Sequence, residues 1–406
     1  MNSAGRTRLL ILSDLHAHSD TPDAAGATSL SFHGSAAGVD RLFDGLVATL
    51  STSGLSGIDA VVCPGDLSNQ CDSTALARIW QRLCDLADTL DAELVATAGN
   101  HDHARTGGEP SRFLKGLAPP FPVRNEDEAM RYFAYRYARI EVAGRTFIAV
   151  DSAAMTGLTG ADGSAEHAHG RITQDTVDRI RTDLAKRPAQ GTRVLVVHHH
   201  PVQLPLIDQN EASRIVDVEL LLDLLAEDGS WVIVHGHKHR PWIQYAPGGG
   251  GSAVLFSAGS FAAGLDGVLA QSTKNQFYVL DLLGDDDAHG LGLGPAGTYR
   301  AWSHTPLEPT SWVPSGKNDG LPARGGFGWR ADPFRLARSL ADRAREVQAD
   351  LTWNDLVAWE PRLAFLTPDD WSKTERHLAR IERSLRVQRT AEGALERIAI
   401  LEEMRP

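Results

Sequence analysis

Side chains that bind metal ions recur in five short clusters along the chain. Imidazole and carboxylate groups suit zinc, manganese, iron or another first-row metal, and they suit calcium much less well. A carboxylate such as that of Asp66 has two oxygens and is able to bridge two cations. One such cluster is commonplace, but the five together predict a metal centre. The clusters are Asp14-Leu15-His16, Gly65-Asp66, Asn100-His101-Asp102-His103, His198-His199-His200-Pro201 and His237-Lys238-His239.

Short apolar runs precede these clusters and predict the strands that position them. All but one of the runs are followed directly by a cluster, and Phe147–Val150 is the exception. Ligands of open α/β sheets bind at the carboxyl ends of the strands, so five polar loops at five strand ends predict one crevice. The predicted strands are Leu9–Ser13, Ala60–Cys63, Leu94–Ala98, Phe147–Val150, Val194–Val197 and Trp231–Val234.

Amphipathic segments alternate with these strands, which is the pattern of an α/β sandwich. Further strands, Ala253–Ser257 and Gln276–Leu282, lie between Gly-rich turns and are predicted to be antiparallel. The predicted helices are Val39–Leu50, Ala75–Leu90, Thr173–Ala185 and Val216–Ala226.

The last quarter of the chain has a different composition. Residues 285–330 are rich in Gly, Pro, Ser and Trp and predict a loop or linker, whereas later segments are rich in Ala, Arg, Leu and Glu. We therefore expect a catalytic domain over 1–300, a linker or loop over 301–332 and a helical C-terminal extension over 333–406. The helices predicted in this extension are Phe334–Val347, Trp371–Arg389 and a further one ending near Met404.

Composition limits the classes of partner. The 406-residue chain has a formal net charge of -12, which disfavours tight nonspecific binding to nucleic acid. Its three cysteines are an odd number without a CxxC pair, so free thiols in a reducing compartment are expected. No run approaches the roughly 20 apolar residues of a membrane-spanning helix. A cytoplasmic location without membrane association is the resulting expectation.

Taken in order, the five clusters resemble the signatures of calcineurin-like metallophosphoesterases, over roughly residues 8 to 283. The resemblance implies a four-layer α/β/β/α sandwich and two transition metal ions, divalent or of mixed valence, with manganese, iron or zinc as the candidates. It implies that one ion is bound by Asp14, His16, Asp66 and His239, and the other by Asp66, Asn100, His198 and His237.

The resemblance also implies catalytic roles for His101 and Asp102. His101 would lie beside the substrate, stabilising the transition state or protonating the leaving oxygen, and Asp102 would orient it. Two cations roughly 3.5–4 Å apart would bind the phosphate oxygens, and a bridging hydroxide would attack phosphorus. Alternation along a strand allows either His198 or His199 to face the ions, and the family pattern favours His198.

Five other histidines lie near the clusters. We expect them to contact substrate or to support the ligands, and the alternative is that they are ordinary buried histidines. They are His18, His103, His199, His200 and His235.

The clusters resemble most closely the bacterial branch of cyclic-nucleotide and glycerophosphodiester hydrolases, which predicts a phosphodiesterase for small or nucleotide-derived esters. One alternative is a DNA or RNA nuclease of the same superfamily, and another is a non-catalytic scaffold. Two segments match no signature: the long loop from Ala17 to Gly38 and the residues after 300. The C-terminal helices could serve a homo-oligomer contact or a protein partner, or cover the pocket as a lid.

Overall fold

The computed structural model describes residues 5–19, 37–104, 109–156, 169–188, 191–205, 213–249, 251–265, 267–305 and 312–401. The strands are β1 (Thr7–Ile11), β2 (Ala60–Cys63), β3 (Glu93–Ala96), β4 (Tyr137–Val142), β5 (Arg145–Val150), β6 (Gly170–Arg171), β7 (Arg193–Val197), β8 (Ile215–Val216), β9 (Trp231–His235), β10 (Trp242–Tyr245), β11 (Val254–Ser257), β12 (Gln276–Leu282), β13 (Gly297–His304), β14 (Trp312–Pro314), β15 (Arg324–Phe327), β16 (Leu351–Thr352), β17 (Leu385–Arg389) and β18 (Leu395–Ile400). The helices are α1 (Ala37–Thr52), α2 (Ser73–Leu90), α3 (Arg112–Lys115), α4 (Glu126–Tyr135), α5 (Gln174–Lys186), α6 (Glu219–Asp228), α7 (Gly267–Ser272), α8 (Asp285–Gly290), α9 (Pro333–Val347), α10 (Trp353–Trp359) and α11 (Pro368–Ile381).

Two mixed sheets form the centre of the fold. The larger has the order β14-β13-β12-β1-β2-β3, with β15 also paired to β13, and the second has the order β10-β11-β9-β7-β5-β4. The strands β1, β2 and β3 are parallel, as are β5, β7, β9 and β11. The strands that end in the clusters therefore point the same way within each sheet.

The burial pattern confirms the four-layer arrangement. Phe147 and Val196 of the second sheet share one hydrophobic core with the larger sheet and with α1 and α2. On the opposite face of the second sheet, Leu195 packs in a separate core with Ile180 of α5 and Leu221 of α6. The parallel strands of the second sheet, β5, β7, β9 and β11, thus bury alternate side chains in two cores, which explains their continuous apolar runs.

The pairing of Ala253–Ser257 was predicted only in part. The strand β11 pairs antiparallel with β10 but parallel with β9, so the prediction was wrong for the second partner. All residues of β11 are buried, and periodicity carries no information about strand direction when both faces are covered. The prediction for β12 is confirmed, because it pairs antiparallel with both β1 and β13.

The predicted loop over residues 285–330 contains strands, so that prediction was wrong. Here β13, β14 and β15 extend the larger sheet. The glycines that suggested a loop are in part strand residues: Gly326 lies in β15 against the backbone of Ala364, where a side chain would not fit. The three-way division of the chain itself stays a prediction.

The C-terminal residues form helices and a small sheet. The helix α9 confirms the predicted one, but α11 ends at Ile381, and Leu385–Arg389 is the strand β17 instead of helix. Strands β16, β18 and β17 form a three-stranded sheet that was not predicted beside the helices of this extension. Apolar Leu385 and Val387 alternate with polar Arg386 and Gln388, which is a strand pattern. Met404 and most of the Ala17–Gly38 loop lie outside the described residues.

Within the stretches that the structure describes, no helix combines the length and the apolar character needed to cross a membrane.

Candidate metal centre

The loops that follow β1, β2, β3, β7 and β9 meet at one edge of the two sheets. They bring the seven predicted ligand side chains together in a largely buried site. Groups of three acidic or imidazole side chains there place one ligand atom each within 4.8 Å of the others. The seven residues are Asp14, His16, Asp66, Asn100, His198, His237 and His239.

Most of these residues have a left-handed backbone. The φ angles are 52° at Asp14, 46° at His16, 52° at Asp66, 76° at His237 and 52° at His239. A non-glycine residue in this region costs on the order of 1–3 kcal/mol, and such residues concentrate at functional sites. A regular strand would direct neighbouring side chains to opposite faces, whereas these turns direct them into one site.

Contacts between loops hold this conformation. The carbonyl oxygen of Asp66 accepts from the amides of Leu15 at 2.8 Å and His16 at 3.0 Å. Gly65, with φ of +103°, lies so close to the ring of His198 that an added Cβ would be 2.7 Å from Nδ1. The absence of a side chain at Gly65 therefore permits the approach of two ligand loops.

Three ligands form the first half of the site. The Nε2 atoms of His16 and His239 are 3.1 Å apart, and His239 Nε2 is 3.4 Å from Asp14 Oδ1. Burial lowers the pKa of His16 to about 4, despite the opposing effect of Asp66. A neutral imidazole retains the lone pair that metal binding requires.

Asn100, His198 and His237 form the second half. Asn100 Oδ1 is 3.1 Å from both His198 Nε2 and His237 Nδ1, and these two nitrogens are 3.2 Å apart. His198 Nδ1 lies 2.9 Å from the carbonyl oxygen of Pro64, so this nitrogen is the donor and Nε2 faces the site.

Asp66 lies between the two halves. Its Oδ2 is 3.5 Å from His16 Nε2 and 3.3 Å from His198 Nε2. Although burial acts in the opposite direction, the nearby imidazoles of His198 and His101 hold the pKa of Asp66 well below its usual value. Conversely, the pKa of His198 is raised to about 9, because the charge of Asp66 outweighs burial. The donor set of carboxylate oxygens, an amide oxygen and imidazoles fits two transition metal ions that share Asp66.

His101 lies at the edge of this site and is only half-buried. Its ring centroid is 4.7 Å from that of His16, and its amide donates to Asp66 Oδ1 at 2.8 Å. The ring Nδ1 is 3.3 Å from the amide of Gln70, which donates to it. The backbone of His101 therefore contacts the predicted ligand Asp66, and its side chain lies at the solvent-facing rim of the site.

Asp102 is buried and binds backbone groups. Its carboxylate accepts from the amides of Leu67 at 3.1 Å, Ser68 at 2.8 Å and Gly99 at 2.9 Å. Burial and the charge of Asp66 raise the pKa of Asp102 to about 6. These bonds tie the loop after β2 to the loop after β3, and the orientation of the His101 ring by Asp102 stays a prediction.

The neighbouring histidines occupy two kinds of position. His199 and His103 are hydrogen-bonded: His199 Nδ1 is 2.9 Å from Ser152 Oγ, and His103 Nε2 is 3.3 Å from Asp151 Oδ1. His18, His200 and His235 are buried beside the ligand loops. His198 Nε2 meets Asn100 and Asp66, but one ring nitrogen of His199 also lies within 4.8 Å of ligand atoms of His198 and His237, so the choice of His198 over His199 as the ligand stays a prediction.

Sequence reasoning missed four supporting residues. Asp151 and Ser152 directly follow β5, the predicted strand without a cluster, and that position was the available signal. Ser13 Oγ donates to Asp14 Oδ2 at 2.5 Å, and Ser260 Oγ donates to the carbonyl oxygen of Asp14 at 2.7 Å. Nothing in the pattern around Ser260 marks it, because the contact joins residues 246 positions apart.

Comparison with known proteins gives one family match. The model of the calcineurin-like phosphoesterase family matches residues 7–241. A probable cyclic nucleotide phosphodiesterase of Rhodococcus erythropolis is 27% identical over 186 residues, which are 45% of this chain and 51% of that protein. A cAMP/cGMP dual specificity phosphodiesterase of Mycobacterium tuberculosis is 28% identical over 200 residues, 49% of this chain and 54% of that protein. The chain thus spans about half the length of these curated relatives.

Solved structures are similar at a greater distance. The purple acid phosphatase PPD1 of yellow lupin has a TM-score of 0.45 at 12% identity, covering 74% of this chain and 52% of that one. The 5'-nucleotidase precursor of Thermus thermophilus has a TM-score of 0.37 at 14% identity, covering 85% and 62%.

Proposed function

Because the chain belongs to the calcineurin-like phosphoesterase family, we propose that it hydrolyses phosphodiester bonds in small or nucleotide-derived esters, such as cyclic nucleotides. The observation that carries this proposal is the pair of ligand groups that meet at Asp66. One group would hold the first ion through Asp14, His16 and His239, and the other would hold the second through Asn100, His198 and His237, with Asp66 common to both.

Manganese, iron or zinc ions bound there would neutralise charge on the phosphate and lower the pKa of a coordinated water toward about 7. The protein's part is to hold the ligand atoms in place before substrate arrives. Ser13 and Ser260 fix Asp14, and the Pro64 carbonyl fixes the tautomer of His198. Such supporting contacts change metal affinity or activity about 10–100-fold when they are removed.

His101 is the proposed proton donor to the leaving alkoxide. The His101 ring is half-buried at the rim of the site, where it can contact a substrate that enters from solvent. Its backbone amide stays hydrogen-bonded to Asp66. This bond couples the position of the ring to the carboxylate shared by the two ligand groups. Proton donation of this kind contributes about 10²–10⁴-fold to a rate.

The substrate class is supported by the relatives named as cyclic nucleotide phosphodiesterases. A nuclease would need a basic groove, and the C-terminal arginines offer a mixed-charge surface instead. Arg343 pairs with Glu346 at 2.8 Å, and Arg345 pairs with Asp342 at 2.6 Å. These contacts favour a small ester over a nucleic acid as the substrate.

The test is a hydrolysis assay on protein stripped of metal and reloaded with manganese, iron or zinc. We expect bis-p-nitrophenyl phosphate to be cleaved faster than p-nitrophenyl phosphate, and cyclic AMP to be opened to AMP. Asp66→Asn should lower the activity on the order of 10³-fold, while His289→Gln, which changes an exposed histidine of α8, should retain it. Faster cleavage of the monoester would identify a phosphatase, and nicking of plasmid DNA at physiological salt would favour the nuclease.

A further inference from the structure

A second cavity lies where the C-terminal residues pack on the larger sheet. Its volume is about 490 Å³, within the usual range of about 300–1,000 Å³ for small-molecule sites. Strands β13 and β15 supply one wall, and Trp353, Trp371 and residues around β17 supply the other. Basic residues of the strands and aromatic side chains of the C-terminal region therefore line the same cavity.

Two arginines of this cavity face each other across a strand pair. In the pairing of β13 with β15, Arg300 lies directly opposite Arg324. Like charges in such positions destabilise a sheet. Burial and the nearby charge of Arg324 lower the pKa of the Arg300 guanidinium. An anion between the two side chains would remove this repulsion.

One of the two carboxylates of the cavity is already engaged. Asp281 Oδ1 accepts from Arg8 Nε at 2.7 Å, and Arg6 forms an ion pair with Asp281 Oδ2. The lining residues include four arginines, Arg6, Arg300, Arg324 and Arg389, and two carboxylates, Asp281 and Glu392, which leaves an excess of two positive charges. The whole chain has a formal net charge of -12, so the charge of this cavity is opposite in sign to that of the chain.

A buried tyrosine also borders the cavity. Tyr299 is 1% exposed, and its Oη has no hydrogen-bond partner among the residues described. Tyr299 and Arg300 are consecutive residues of β13, so their side chains leave opposite faces of the strand, and Tyr299 packs on Phe256 in the core between the sheets. Tyr299 therefore forms part of the floor under β15, and the polar side of the cavity is formed by the arginines.

We propose that this cavity binds a small organic phosphate of mononucleotide size. Arg300 and Arg324 would hold the phosphate, and Trp353 and Trp371 would contact the planar apolar part of the ligand. Guanidinium groups bind phosphate in bidentate geometry, and indole rings stack on bases. A cavity of this volume suits a mononucleotide and excludes a long polyanion.

This site is separate from the metal centre. Arg8 lies in β1 and Asp14 follows the carboxyl end of the same strand. Six residues of extended chain span about 20 Å, so the arginines and the metal ligands lie toward opposite ends of the larger sheet. Ligand binding in the cavity is thus measurable with the metal centre disabled.

The experiment is isothermal titration of the full chain after metal removal with EDTA, using AMP, ribose 5-phosphate, inorganic phosphate and adenosine in turn. We expect AMP to bind, with ribose 5-phosphate and inorganic phosphate progressively weaker and adenosine undetectable. Arg324→Gln changes an exposed side chain and should weaken AMP binding at least about 10-fold, as one charge-assisted contact contributes roughly 1.5–3 kcal/mol. Arg338→Gln, an exposed arginine on α9, should bind AMP as the parent does.

Several results would overturn the proposal. They are AMP binding that Arg324→Gln leaves unchanged, adenosine binding as tight as that of AMP, the absence of any AMP binding, and inorganic phosphate binding as tight as that of AMP. Arg300→Gln is the second variant, and its thermal melting curve shows whether it folds. If Arg300→Gln does not fold, Arg324→Gln alone decides.

Discussion

The metal centre and the C-terminal region are built in opposite ways. At the candidate metal centre, most of the predicted ligand residues adopt left-handed backbone, and burial lowers the pKa values of His16 and His237. In the C-terminal region, each of the helices α9, α10 and α11 begins at a residue that accepts a capping hydrogen bond, namely Asp332, Thr352 and Thr367. The first region therefore contains backbone conformations that cost stability, and the second contains helix caps that add stability.

Activity and stability should therefore respond to changes at different residues. Changes at the loops after the parallel strands should affect hydrolysis far more than folding, because those loops already carry strained backbone. Changes at the C-terminal caps should affect folding alone.

Asp66→Asn should have the largest effect on activity. Asparagine has the same shape and tolerates the left-handed backbone, but it removes the charge that the two ligand groups share. A metal centre contributes several kcal/mol to catalysis, so kcat/KM for bis-p-nitrophenyl phosphate should fall on the order of 10³-fold. Bound metal, measured by elemental analysis, should fall as well. Retention of full metal content and activity would show that Asp66 is not shared.

Acid should destabilise the metal-free protein steeply. Burial lowers the pKa of His16 to about 4 and of His235 to about 3, and it holds those of His199 and His237 well below the usual value. The unfolded chain, with histidine pKa values of about 6.5, then binds more protons than the folded chain between pH 6.5 and 5, so stability falls as the pH falls. Asp102, with its pKa raised to about 6, acts in the opposite direction.

His198, with its pKa raised to about 9, also acts in the opposite direction near pH 6.5, where the unfolded chain is only half-protonated at this residue. The net difference therefore approaches three protons only near pH 5, which is about 4 kcal/mol per pH unit. Urea unfolding of the EDTA-treated chain at several pH values between 5 and 6.5 measures this slope. His235→Asn should reduce it by about 1 kcal/mol per pH unit, whereas His289→Asn, at an exposed position, should leave it unchanged. An identical slope in the two variants would mean that His235 is not held neutral in the fold.

His101→Gln should lower the rate without loss of metal. Removal of a general acid costs about 10²-fold or more when the leaving group needs a proton. The effect should be largest for cyclic AMP, whose ribose alkoxide is a poor leaving group, and smaller for bis-p-nitrophenyl phosphate, since p-nitrophenolate leaves without protonation. Equal losses on both substrates would assign His101 to charge stabilisation instead of proton transfer.

The sequence predicts the metal-binding end of this protein better than the other end. Strands such as Ala60–Cys63 are short apolar runs, and the predicted ligands follow them closely, so the short-range pattern is sufficient to predict them. Ser260 supports Asp14 only through a contact between distant segments, and no local pattern reveals it. Near the C-terminus, β17 follows α11 after a gap of three residues. Both elements contain many charged residues, which obscured the change from the apolar spacing of a helix to that of a strand.

Thr367→Ala should have the smallest effect and should be confined to folding. The hydroxyl of Thr367 accepts from the amide of Asp370 at 3.1 Å at the start of α11, and loss of such a cap costs about 1 kcal/mol, at most about 2. Urea unfolding should show this loss, and Thr367→Ser, which keeps the hydroxyl, should show little of it. The kcat for bis-p-nitrophenyl phosphate should stay within about twofold of the parent, since α11 contributes to the C-terminal core and no ligand of the metal centre. If Thr367→Ala instead lowered kcat in proportion to stability, the two regions would be energetically coupled, and the C-terminal region would help to hold the ligand loops in their strained conformation.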